Sequence, residues 1–161
     1  MQTRVQELAA NTFAPYGFVI ERPATPAEAS GPGWMWWSEI ATLATMDRPY
    51  TVGYLDLTPE PLRFDWAESH ALSSEVIIPV DGDALIYVGT GMETPDWERF
   101  EVFRMRPGQA VVLNPGVWHG APMAIHRPLR ALVLLRQGTG TDDVKKATTE
   151  PIEVIAPVAR I

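Results

Sequence analysis

Glu68-Ser69-His70-Ala71-Leu72-Ser73-Ser74-Glu75-Val76-Ile77-Ile78-Pro79-Val80-Asp81-Gly82 is the stretch on which the reading of this chain turns. Glu68 and His70 stand two residues apart, so on a strand both side chains leave the same face. Glu75 opens a new apolar run after a short connection, and Asp81-Gly82-Asp83 closes that run with a turn. Ala84 to Val88 follows at hairpin distance. Further on, Gly108-Gln109-Ala110-Val111-Val112-Leu113-Asn114-Pro115-Gly116-Val117-Trp118-His119 ends on a second histidine. In a closed barrel Glu68, His70, Glu75 and His119 can converge on one interior point.

Working outward, the text is strands and turns. Phe18–Ile20, Trp34–Trp37, Thr51–Leu57, Glu75–Val80, Ala84–Val88, Phe100–Met105, Gln109–Leu113 and Leu129–Leu135 are short apolar or alternating runs. Prolines and glycines punctuate them, as in a sheet protein. Residues 22–33 read as a loop. Residues 6–14 predict one short helix, closed by Pro15 and a Tyr16-Gly17 turn. Many short strands leave a sandwich or a barrel, and the converging polar residues favour the barrel. The expectation is one domain over residues 1–161, with a tail from about residue 139 packing outside the barrel.

The bulk numbers set limits. With 161 residues there is room for one core, and 46% apolar residues can fill it. A net charge of −7 argues against a nucleic-acid partner, which needs a basic face. No cysteine is present, which excludes disulfides and thiolate chemistry and fits a reducing compartment. No secretory signal is visible, and apolar runs such as Ala131–Leu135 are too short to span a bilayer. A soluble cytoplasmic protein acting on a small molecule is expected, with no membrane partner and no nucleotide cofactor.

Two imidazoles and two carboxylates suit a divalent Zn, Mn, Fe or Ni ion bound by Glu68, His70, Glu75 and His119. They equally suit a metal-free acid/base pair. Any one of these residues alone would read as an exposed strand residue or a hydrogen-bonded structural group. His126, in Ile125-His126-Arg127-Pro128, reads as a surface turn residue. The Trp34, Trp36 and Trp37 cluster reads as core or subunit interface.

The segment from Glu68 to Gly82 resembles the first cupin motif, with Glu68 in place of its first histidine. The segment from Gly108 to His119 resembles the second, with Asn114 in place of its leading proline. The fold implied is an all-β, cupin-type double-stranded β-barrel (jelly roll) with a short N-terminal helix. Most of the chain, roughly residues 5–140, is similar to one cupin branch, the ureidoglycolate lyases. The resemblance rests on Phe13-Ala14-Pro15-Tyr16-Gly17-Phe18-Val19-Ile20, on Glu68-Ser69-His70 through Pro79, on Arg106-Pro107-Gly108-Gln109, and on Val117-Trp118-His119.

That resemblance implies a lyase releasing urea and glyoxylate from a hydroxy-acid ureide, in purine catabolism, and a homodimer. His70 and His119 become the acid and base, with Glu68 or Glu75 orienting an imidazole or taking the proton. The chain departs from the family at four places. Ser69 stands where an arginine is usual, Glu75 where glutamine is, Gly120 where a second histidine is common, and Val112-Leu113-Asn114 is altered. Loss of an arginine removes a carboxylate clamp and predicts weak or absent turnover of ureidoglycolate compared with a related acid carrying a different substituent. Arg104 or Arg136 could replace it, with Ser69 and Trp118 as further substrate-binding candidates. Two other readings stand beside this one. They are a metal-dependent cupin isomerase or dioxygenase for a small keto or sugar acid, and a non-catalytic ligand-binding cupin.

Overall fold

A computed structural model describes residues 1–156. In chain order the elements are β1 (Gln2–Glu7), α1 (Ala10–Phe13), β2 (Gly17–Ile20), β3 (Ala29–Gly31), β4 (Trp34–Trp36), β5 (Tyr50–Leu57) and β6 (Arg63–Ser69). Then come β7 (Glu75–Pro79), β8 (Ala84–Gly89), a 3-10 turn at Trp97–Arg99, β9 (Glu101–Met105) and β10 (Ala110–Leu113). The described chain ends with β11 (Trp118–His119), β12 (Met123–Ala124), β13 (Leu129–Arg136), α2 (Thr139–Asp142) and β14 (Lys145–Ile155).

One sheet runs β11-β6-β14-β1-β9-β8-β12, and an added β11–β8 pairing closes six of its strands into a ring. A second sheet, β2-β10-β7-β13-β5, packs on it. The two-sheet β-barrel with few helices is as expected, and its closure explains the apolar runs. Every residue of β8 is buried, because alternate side chains serve two different cores. Ala84, Ile86 and Val88 meet Ile77, Val111 and Leu113 of the second sheet. Leu85 and Tyr87 join Phe64, Val102, Trp118 and Ile152 in the other core, which draws on strands of the closed ring. At roughly 25 cal/mol per Å² of apolar area removed from water, these two clusters carry most of the folding drive.

Three expectations are corrected here. Ala29–Gly31, inside the stretch 22–33 read as a loop, forms β3 and pairs with β4. Gln6 and Glu7, read as helical, lie in β1, which pairs in parallel with both β14 and β9. Their helical propensity yields to long-range pairing, and the helix keeps only four residues. The chain from residue 139 does not lie over the outside: β14 is inserted between β6 and β1. Pro151 is accommodated at a register shift between Thr148 and Ile152, where a missing N–H is tolerated. Residues 157–161 of that tail lie outside the described residues. Trp34 and Trp36 are 54% and 59% exposed, so neither belongs to the core.

Candidate active site

Four side chains meet at one end of the core between the sheets. Glu68 is the next-to-last residue of β6, His70 follows the end of that strand, and Glu75 opens β7. His119 on β11 pairs across to Glu68 and Val88. Gly116, at φ +86°, donates its N–H to the His70 carbonyl at 2.7 Å. A left-handed residue at that point favours glycine, and the bond ties the first histidine segment to the second.

The distances are short. Glu75 Oε2 lies 3.0 Å from His119 Nε2 and 3.3 Å from His70 Nε2. Glu68 Oε1 lies 3.8 Å from His70 Nε2. The imidazole centroids are 5.2 Å apart.

The remaining ring nitrogens decide the chemistry. His70 Nδ1 is 2.8 Å from the Asp143 carbonyl oxygen, and His119 Nδ1 is 3.0 Å from that of Val117. A carbonyl cannot donate, so each Nδ1 must carry its hydrogen. Each Nε2 then points a bare lone pair at the Glu75 carboxylate, or carries a second proton. Lone pair against carboxylate is repulsive, so the cluster must hold either protons or a cation. Burial alone would push the His70 imidazole down, but its bonds to Glu75 and the Asp143 carbonyl, with the Glu75 and Glu68 charges, raise it. Burial alone would likewise raise the Glu75 carboxyl, but His119 and His70 outweigh it and hold it at about 2.

Glu68, His70 and Glu75 line a cavity of about 290 Å³, with Tyr54, Leu55, Val133 and Leu135 among its apolar walls. His119 stands behind Glu75, one hydrogen bond from the opening. The other candidates lie elsewhere. The Arg104 guanidinium is bonded to Asp83, and Arg104 shares its sheet face with Leu85, its cross-strand partner. Arg136 is buried and held by Asp47 at 2.5 Å and Asp142 at 2.8 Å, as a structural ion network. Trp118, next to His119, faces the opposite way into the second core and donates to the Gly91 carbonyl. Ser69 lines a separate cavity beside Met92, Asp143 and Lys145 and is not a wall of the main one. His126 is exposed at a bend.

Three contributors escaped the sequence reading. Asp143 accepts the Ala71 and Leu72 backbone N–H groups at 2.8 and 2.9 Å, while its carbonyl orients His70. It therefore shapes the loop that carries the site from β6 to β7. Asp143→Ala is expected to cost about 2 kcal/mol, the range for hydrogen bonds to a charged group. Melting curves and faster amide exchange at Ala71 and Leu72 would show it, and unchanged exchange there would contradict it. Tyr87 is the second contributor. A Cβ on Gly120 would lie 1.6 Å from its hydroxyl, which donates to the Trp66 carbonyl. Gly120 is thus dictated by close approach, and a larger side chain there requires Tyr87 to move. The third is Lys146, whose ammonium reaches Glu68 Oε2 at 3.6 Å on the cavity rim.

Glu68, His70 and His119 each offer a ligand atom within 4.8 Å of the others. Two imidazoles with Nδ1–H anchored on carbonyls present Nε2 lone pairs inward, the usual preparation of histidine for a metal. The donor set fits a divalent cation, and Glu75 lies close enough to join it or to hold the imidazoles from behind.

A small β-barrel of two sheets, with two histidines and two carboxylates at one end of its core, is a cupin. The model of the ureidoglycolate lyase family matches residues 1–155, and the chain belongs to that family of lyases. A ureidoglycolate lyase of Azotobacter vinelandii is 30% identical over 142 residues, covering 84% of this chain and 86% of that protein. One from Pseudomonas putida is 28% identical over 160 residues, covering 95% and 96%. Among solved structures, a dTDP sugar isomerase from Desulfovibrio desulfuricans shares the fold at TM-score 0.51 and 16% identity, covering 82% of this chain and 83% of that one. No helix among the described residues is long and apolar enough to cross a membrane.

Proposed function

We propose that the protein splits ureidoglycolate, or a close α-hydroxy ureide of the same size, into urea and glyoxylate. The observation that carries the reading is the Glu68–His70–Glu75–His119 cluster opening on a small cavity, in a chain of this lyase family. The reaction needs a base for the hydroxyl proton and an acid for the departing nitrogen. Glu68 is suited to the first task, since its carboxylate is 24% exposed on the cavity wall and free of the buried pair. His70 is suited to the second, because Glu75 and Glu68 beside its Nε2 favour the protonated imidazole.

As Glu68 takes the hydroxyl proton, the O–H electrons form the glyoxylate carbonyl and the C–N bond breaks. The electron pair stays on nitrogen, and His70 Nε2 delivers the proton that completes urea. Glu68 then returns its proton to His70 across 3.8 Å, directly or through the departing product. Nothing is oxidised and no water is consumed. A divalent cation held by Glu68, His70 and His119 would take the place of the His70 proton and would supply polarisation of the hydroxyl and carboxylate oxygens in its stead. A cytoplasmic homodimer is part of the reading, supported by the absence of cysteine, by the exposed Trp34, Met35 and Trp36, and by β5 as an open sheet edge.

The second reading, a metal-dependent cupin of other chemistry, is favoured by Glu75 standing between the histidines. Urea release from ureidoglycolate, followed colorimetrically on protein of known metal content, separates the two. The expected result is turnover at or above about 1 s⁻¹. Metal-loaded protein that yields no urea would leave the second reading in place.

A further inference from the structure

The cavity that holds Glu68, His70 and Glu75 is acidic, yet the proposed substrate is an anion. The His70 imidazole is already matched to Glu75, so a further cation has to meet the substrate carboxylate. Arg104 and Arg136 are committed to Asp83 and to Asp47 and Asp142, and Lys145 pairs with Glu93 at 2.9 Å. Among the described residues, Lys146 is the one lysine or arginine lining the cavity.

Its place is fixed by register. Lys146 on β14 is the direct cross-strand partner of Glu68 on β6, so the two side chains leave the same face. The ammonium lies 3.6 Å from Glu68 Oε2, while Glu68 Oε1 lies 3.8 Å from His70 Nε2. One carboxyl group therefore bridges the ammonium and the imidazole. The Lys146 side chain is 66% exposed and its pairing with Glu68 is a rim contact, of the kind that exchanges partners at little cost. The ammonium also lies 5.8 Å from the Trp66 ring centroid, a second contact at the rim.

We propose that Lys146 is the carboxylate anchor of this site and that it selects α-hydroxy acids. The inference rests on the lyase reading for the identity of the substrate, but its own claim is about ligand class. An α-hydroxy acid carries carboxylate and hydroxyl on adjacent carbons. It can exchange its carboxylate for that of Glu68 at the ammonium while its hydroxyl meets Glu68 and His70. The anchoring cation thus comes from the last strand of the closed ring, not from β6, which carries Glu68 and leads into His70.

The test uses glycolate and its neutral isostere glycolamide, with binding followed by calorimetry and by histidine ring shifts, alongside ureidoglycolate kinetics. Wild type should bind glycolate about tenfold or more tighter than glycolamide, the scale of one charge-assisted contact. Lys146→Met should bring that ratio close to one without weakening glycolamide, and Lys146→Arg should restore most of it. With ureidoglycolate, Lys146→Met should raise KM about tenfold and leave kcat within a few-fold, as expected for uniform binding. Equal glycolate and glycolamide binding by wild type, or no binding of either, overturns the inference. So does an unchanged ratio in Lys146→Met, even if urea is produced. A Lys146-dependent glycolate preference without urea release upholds the anchor and overturns the lyase reading.

Discussion

Replacing His70 by alanine is expected to lower urea release by about two to four orders of magnitude, the usual worth of a positioned acid or base, and replacing His119 to lower it by less. In the proposed reaction His70 delivers the proton to the leaving nitrogen. His119 touches no substrate in the proposed pose. Its role is to share Glu75 with His70, at 3.0 and 3.3 Å, and so to set how the His70 proton is held. His119 is therefore a positioning residue, and its loss should shift the pH profile as well as the rate. Far-UV circular dichroism should remain that of the β-barrel in both variants, since both side chains stand at one end of the core. His126→Ala should match wild type, because that ring is exposed at a distant bend. Activity of His70→Ala within tenfold of wild type would remove His70 from the chemistry.

How much of this could be read from the sequence depends on the range of the interactions. Glu68, His70 and Glu75 lie within eight residues, and strand alternation alone puts the first two on one face. His119 was joined to them by the resemblance of Gly108–His119 to the second cupin motif, and the bond from Gly116 to His70 is the physical form of that link. The core strands β7, β8, β9, β10 and β13 were legible because each buries apolar side chains in a local run, whereas Ala29–Gly31 buries none and read as loop. β14 was not. Its Lys-Lys-Ala-Thr-Thr-Glu-Pro start looks like solvated chain, and only pairing with β6 and β1 makes it a strand. Lys146 and Asp143 were hidden for the same reason, since both act on residues more than seventy positions earlier. Arg104 and Arg136 were named on their charge. Whether an arginine is free or already paired is decided by distant aspartates, and both proved to be paired.

In metal-free protein, Glu75→Gln should destabilise the fold most between about pH 4.5 and 6.5, by roughly 3 kcal/mol at about 1.4 kcal/mol per pKa unit. The Glu75 carboxyl is held at about 2 against an ordinary value of 4.5. A depressed carboxyl contributes stability that is fully present above 4.5 and is lost as pH falls through 2. His70 is raised above its ordinary 6.5. Its contribution is fully present below 6.5 and is lost as pH rises through the elevated value. The two windows overlap between those limits, where carboxylate and imidazolium are both charged. Glutamine, the residue usual in the family this chain resembles, changes the terms of the contact. Its amide N–H can donate to a neutral Nε2, so the variant is satisfied without the extra proton that Glu75 demands. The gap between wild type and variant should therefore narrow at alkaline pH as His70 loses its proton, and narrow again in strong acid. Denaturant titrations with a chelator, from pH 3 to 9, would trace the curve. A gap that is flat with pH would mean that Glu75 does not hold a charged imidazole. Zinc added to the wild type at pH 8 should recover the lost stability, because a cation then takes the place of the proton between the two histidines and the carboxylate.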